Sequence, residues 1–187
     1  MNVEQAIFGR RSVRRYLDEP VDSRRLKKLL EAGFAAPSGS NRQNWFFSVI
    51  TRKTLLQELE TQGKQAVVQY AAPEYQKAAS AENYRLLHGA PCLILVSFDP
   101  KLSTGPVDAA LAAENICLAA YELGLGTCIN GLINYLLNQP EQRDLRARCG
   151  IREGFLNAMG ISVGIPDGSH PGTRPRDKTK IAWIDGT

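Results

Sequence analysis

The sequence is poor in residues that hold metals or cross-links: four cysteines and two histidines in 187 residues. Cys92, Cys117, Cys128 and Cys149 form no CxxC pair, and His88 and His170 complete no zinc pattern around them. A metal centre and a disulfide scaffold are therefore both poor readings, and the thiols suit a reducing, cytoplasmic setting. Long apolar runs are also missing. The most apolar stretch, Cys92 to Phe98, falls far short of the roughly 20 residues a membrane helix needs. The opening MNVEQAIFGRR lacks the apolar centre of a secretory signal. No membrane association is expected.

Charge of one sign is scarce overall, at a net +4, but it is unevenly placed. Arg10, Arg11, Arg14, Arg15, Arg24, Arg25, Lys27 and Lys28 crowd the first thirty residues, and Arg174, Arg176, Lys178 and Lys180 crowd the tail. Basic clusters at both ends suggest an anion held between the termini, or a nucleic-acid surface. The second calls for aromatic side chains or a recognition helix among the charges, and the sequence offers neither. A small phosphorylated ligand is the better reading, with no nucleic-acid partner.

What is present is an ordinary globular composition, 43% hydrophobic and 22% charged, over a length that suits one domain spanning residues 1–187. Asn2 caps a first helix over Val3 to Gly9. Pro20 and Asp22 open a second, on which Leu26, Leu29, Leu30 and Gly33 share one face and the basic residues point outward. It stops before Pro37, and Trp45 to Ile50 reads as a strand. Residues 53–88 read as helical pieces broken at Gly63 and Pro73, including a mobile surface segment over a pocket. CLILVSF, Cys92 to Phe98, is a strand buried on both faces. Val107 to Leu123 is a helix apolar nearly all round. Thr127 to Ile133 is extended, Pro140 to Cys149 helical, and Phe155 to Val163 a strand. The tail after Pro166 has no core-forming pattern until the strand-like Ile181 to Ile184, an apolar end that should find a partner subunit.

Two constellations could carry chemistry. In Arg10-Arg11-Ser12-Val13-Arg14, alternation puts Arg10, Ser12 and Arg14 on one side of an extended segment, with guanidinium forks and a hydroxyl matched to phosphate oxygens. In Ala36-Pro37-Ser38-Gly39-Ser40-Asn41-Arg42-Gln43-Asn44-Trp45, turn amides and small polar side chains suit the edge of a polar heterocycle. Neither histidine has a paired carboxylate at motif spacing, so neither is assigned acid/base work, and Cys128 is read as a small buried residue. Gly124-x-Gly126 is no dinucleotide fingerprint, since it follows a helix and lacks the third glycine.

These two motifs, the alanine-rich helix running into LGLGT, and GIP followed by a basic tail together resemble the nitroreductase family of FMN-dependent oxidoreductases. The resemblance spans nearly the whole chain, weakest over residues 53–88. It implies an α+β fold, a central mainly antiparallel sheet flanked by helices, and a homodimer whose C-terminal segments exchange strands. Two FMN sites would lie in the interface. The resemblance places Arg10 and Ser12 near the FMN phosphate and ribityl chain, with Arg11 in the same motif, and Arg14 near N1 and the C2 carbonyl. It implies that Pro37, Ser38, Ser40 and Asn41 pass over the partner's flavin, and that a backbone amide within Cys128, Ile129, Asn130 and Gly131 approaches N5. Asn83 matches an asparagine on the pyrimidine edge, and Arg174 and Arg176 a basic pair at the phosphate. The family often has proline where Asn44 stands, a departure expected to loosen the loop.

The implied activity is hydride transfer from NADH or NADPH, as transient co-substrate, to N5 of tightly bound FMN. A nitroaromatic, quinone or similar flat electrophile would then be reduced at the same place, in ping-pong fashion. No side chain acts as a nucleophile; Arg14 would stabilise the negative charge of the reduced flavin. Relatives that fragment flavin, dehalogenate phenols or oxidise peptide-derived rings imply alternatives, and a non-catalytic flavin-binding module is another.

Overall fold

The computed structural model describes residues 2–168, 172 and 175–184. Its centre is an antiparallel sheet in the order β1-β2-β4-β3, formed by β1 (Phe46–Ile50), β2 (Cys92–Phe98), β3 (Gly126–Asn130) and β4 (Leu156–Gly164). The unbroken apolar character of β2 has a direct cause: both of its faces are covered. Leu93 and Leu95 enter one core with residues of α3 (Lys53–Tyr70), α4 (Pro73–Ala79), α6 (Asn134–Leu137) and α7 (Arg143–Arg148). Cys92, Ile94 and Val96 enter the other with α2 (Ser23–Phe34) and α5 (Gly105–Glu122). The expected α+β architecture is the one observed.

Local chemistry sets the helix ends. Asn2 and Gln5 form a reciprocal capping box at α1 (Val3–Gly9), and the Asp22 carboxylate accepts the Arg25 N–H at 2.8 Å to start α2. Helix α5 lies against α1, α2 and strands β2, β3 and β4, which explains the apolar residues on those sides, while Val107 and Leu111 stay 61% and 41% exposed.

Three expectations need correction. Gly63 does not break α3. A Cβ there would sit 2.3 Å from Leu86 Cδ2, so the glycine lets the helix pack directly on the turn that follows α4. Residues 53–79 accordingly form two packed helices, not a mobile cover. The extended stretch expected to reach Ile133 ends at Asn130, where the Asn130 side chain accepts the Leu132 N–H and turns the chain into α6. Residues 181–184 form no strand within this chain, and Trp183 and Ile184 are 72% and 87% exposed.

Candidate functional site

The segment Arg10–Tyr16 is laid across the end of the sheet. Ser12 pairs with Thr127 in a parallel bridge, the Val13 N–H donates to the Thr127 carbonyl at 2.8 Å, and Tyr16 pairs with Pro166. Two glycines make this seat. Gly126 and Gly164 stand opposite each other in the β3–β4 pair; a Cβ on the first would lie 2.8 Å from Val13, and on the second 2.8 Å from Tyr16. Only bare backbone admits the segment so close. Val13 is buried while Ser12 and Arg14 point away from the core, as alternation along an extended chain requires. The Tyr16 hydroxyl donates to the Val13 carbonyl at 2.6 Å, and its burial raises its pKa.

Each basic residue of this segment has a distinct setting. Arg10 Nε contacts the Glu114 carboxylate of α5 at 3.1 Å, an ion pair that uses one edge of the guanidinium and aims the rest. Arg11 curls back onto the Phe8 and Arg10 carbonyls at 2.7 and 2.6 Å, so it closes the end of α1 instead of joining Arg10 and Arg14. Arg14 makes a long contact, 3.5 Å to the Ser12 carbonyl, and a side-chain hydrogen bond with Cys128, and its side chain is exposed. Burial raises the Cys128 thiol above its ordinary pKa, with Arg14 and the Ser12 hydroxyl beside it pulling the other way. Burial likewise pushes Cys92 up to about 12, and Cys117 and Cys149 to about 11, which disfavours the reactive thiolate form at each.

Arg14 opens onto a cleft of about 1490 Å³, and Asn83 lines the same cleft. The turn that carries Asn83 is clamped from three elements. Glu60 of α3 accepts the Leu86 N–H on one carboxylate oxygen and the Leu87 N–H, at 2.9 Å, on the other. Asn130 of β3 donates to the Leu86 carbonyl at 2.6 Å, and Ser162 of β4 to the Leu87 carbonyl at 3.0 Å. Both leucines are nearly inaccessible, at 1% and 2% exposure, so four buried backbone groups are each satisfied by a side chain. The amide of Asn130 is thus spent within the protein; of the β3 stretch, Ile129 and Gly131 are exposed and Cys128 is buried.

Immediately after the clamp stands His88, with φ of 61°, a left-handed conformation uncommon outside glycine. Its ring is half-buried in the same cleft, and burial, with the Arg14 charge adding to it, lowers its pKa below the ordinary 6.5. Spacing gave no hint of this, because the relevant neighbour is Arg14, not a carboxylate.

The second constellation does not line this cleft. Ser38 Oγ accepts the Gln43 N–H at 2.9 Å, and the buried Asp108 at the start of α5 accepts the Gly39 N–H at 3.1 Å. Ser40 and Asn41, both left-handed, remain exposed with Pro37. Asn44 tightens this loop, contrary to the expectation. Its buried side chain donates to the Asp99 carbonyl at 3.2 Å and accepts the Asp99 N–H at 2.9 Å, a two-way bridge that proline could not make. Arg176 is exposed in the tail; Arg174 and His170 lie outside the described residues.

Of the expected site residues, Arg14 and Asn83 line the cleft, a guanidinium and an amide suited to the edge of a flat polar molecule, whereas Arg10, Arg11, Ser12 and residues 128–131 lie outside its lining. Among the described residues there is no group of three or more His, Cys, Asp or Glu placed to hold a metal ion, and no helix long and apolar enough to cross a membrane.

Comparison with known proteins agrees with this geometry. A nitroreductase of Bacteroides fragilis, solved with bound FMN, superposes with a TM-score of 0.89 at 28% identity, covering 99% of this chain and 100% of that one. A nitroreductase of Desulfitobacterium hafniense, also with bound FMN, gives 0.88 at 30% identity over 99% and 100%. An NADPH-flavin oxidoreductase of Vibrio harveyi is 28% identical over 94% of this chain and 70% of its own length. The sequence model of the Nitroreductase family matches residues 7–165, and the chain belongs to that family.

Proposed function

We propose that this protein is an NAD(P)H-dependent oxidoreductase that uses FMN to reduce a nitroaromatic, quinone or similar flat electrophile. The observation that carries the reading is the Arg14 guanidinium, which pairs with no carboxylate among the described residues, opening onto a cleft shared with Asn83 on a segment held by the glycine seat. Bound FMN supplies the hydride chemistry at its N5. The chain's own residues bind, orient and tune. Arg10, steered by Glu114, and the Ser12 hydroxyl suit the phosphate and ribityl end, with Arg174 and Arg176 completing the charge. Arg14 offers a permanent positive charge to the pyrimidine edge, where reduction deposits negative charge, and Asn83 offers an amide beside it. Ile129 and Gly131 present an open edge of backbone for N5. Arg11 acts indirectly, by fixing the end of α1 that leads into the segment.

The same reading makes the protein a homodimer with its cofactor sites between subunits. Pro37, Ser38, Ser40 and Asn41 then reach the partner's flavin, consistent with their absence from this chain's own cleft. The apolar end Ile181–Ile184 adds a strand to the partner's sheet. The open edge is β1, because the outer edge of β3 already takes the Ser12–Thr127 bridge. Reduction followed by release of oxidised nicotinamide, before the acceptor enters the same cleft, gives ping-pong kinetics.

The deciding experiment is a visible spectrum of the purified protein, reconstituted with FMN, before and after NADPH. Flavin absorption that bleaches with NADPH and returns with a quinone supports the reading. A protein that takes up no FMN, or whose bound flavin NADPH leaves oxidised, refutes it.

A further inference from the structure

Hydride transfer to a quinone leaves an acceptor one proton short of the hydroquinone, so the reaction needs a proton from somewhere near the flavin. His88 is well placed to handle it. The ring is half-buried in the cleft that Arg14 and Asn83 share, on a turn that Glu60, Asn130 and Ser162 hold by its backbone. Its left-handed backbone is the kind of unfavourable geometry that persists where surroundings enforce it.

The charged groups around it explain how it would respond. From the N-terminal segment it faces Arg14, while Arg15 is neutralised by Asp167 at 2.8 Å. From α3 the nearest carboxylate, Glu60, is occupied by the two leucine amides, and Lys53 at the far wall pairs with Asp18 at 3.1 Å. Its own turn contributes the Tyr84 phenol and the exposed Arg85 guanidinium, and the Arg85 carbonyl favours protonation. Burial, with the Arg14 charge adding to it, is thus what keeps the imidazole neutral at rest, and among the described residues lining the cleft no unpaired carboxylate offsets it. Negative charge arriving against Arg14 opposes that Coulombic contribution, while the contribution of burial stays.

We propose that His88 is the proton-handling residue of this enzyme: it takes a proton from solvent when the flavin beside Arg14 is reduced, and returns it when the acceptor leaves as its hydride adduct. The balance closes. NADPH gives two electrons and one proton as hydride, leaving NADP+ and a singly charged reduced flavin. One solvent proton goes to His88. A quinone then receives the hydride and the His88 proton to become the hydroquinone, restoring oxidised flavin and neutral imidazole.

This inference rests on the FMN reading above, and the test separates the two. The protein has two histidines, so imidazole NMR of the FMN-loaded protein gives two titrating signals, assigned with His88→Asn, a substitution suited to the left-handed backbone. With oxidised flavin, the His88 signal should titrate below the ordinary 6.5. After reduction by excess NADPH under anaerobic conditions, its midpoint should rise at least tenfold in proton affinity, while His170 does not follow. Proton uptake per flavin reduced, read with a pH indicator between the two midpoints, should fall in His88→Asn. A His88 midpoint that stays put on reduction of a flavin that does bind and bleach overturns this inference alone. Failure to bind FMN overturns both.

Discussion

Removing the Glu60 carboxylate is the most demanding test of how the cleft is built. Glu60→Ala leaves the Leu86 and Leu87 N–H groups without their acceptor, in a turn whose two side chains are almost fully buried. Each unsatisfied buried donor costs about 1–3 kcal/mol, so the pair sets a range of roughly 2–6 kcal/mol. The cleft side of Glu60 admits some water, which places the expected loss in the lower half of that range, about 3 kcal/mol. For a chain of this length that corresponds to a fall in Tm of roughly 6–12 °C. Glu60→Gln keeps one acceptor oxygen but turns an NH2 toward the other leucine amide, and should lose about half as much. Urea unfolding at constant m-value measures both, and amide exchange at Leu86 and Leu87 localises the effect. If Glu60→Ala costs under about 1 kcal/mol, or if both amides stay protected, the clamp does not hold this turn and the argument for its rigidity fails.

Other expectations follow from the same geometry. Arg14→Ala should lower the flavin's two-electron potential by roughly 20–45 mV, the equivalent of about 1–2 kcal/mol of lost charge stabilisation, while FMN remains bound; an unchanged potential in a redox titration removes Arg14 from the pyrimidine edge. Gly126→Ala drives a Cβ to 2.8 Å from Val13 and should cost about 1–3 kcal/mol with weakened FMN retention on desalting; a variant as stable and as yellow as the parent dismisses the glycine seat. The buried cysteines, Cys92, Cys117 and Cys149 above all, should react with a thiol reagent at neutral pH only after unfolding, and rapid labelling of the native protein contradicts their burial. Deletion from Lys178 onward should yield monomer in sedimentation, whereas a stable dimer after that cut would rule out tail exchange.

The features legible in the sequence were those fixed by local pattern. β2 could be read from CLILVSF because a strand covered on both faces has no polar phase to hide it, and α1 from the capping chemistry of Asn2. The RRSVR segment was legible as a donor row because alternation is a property of extended backbone itself. What escaped depends on partners distant in sequence. Gly63 looked like a helix break because its neighbour Leu86 lies 23 positions on, in a turn with no periodicity. The Asn44 side chain looked like a lost proline until Asp99 came beside it. His88 carried no signal at all, since the charge that matters to it is 74 positions away. The local partners of Arg11, the Phe8 and Arg10 carbonyls, escaped for the opposite reason: they are so close that motif spacing concealed them.

Helix α5 has a consequence for the assembled enzyme. Its Asp108 holds the loop containing Ser40 and Asn41, and its Glu114, about 9 Å farther along the axis, steers Arg10. In the homodimer proposed above, one rod would touch both cofactors, its own through Arg10 and the neighbour's through the loop. Loading the first flavin should alter how readily the second is accepted, with no hinge between them to absorb the movement.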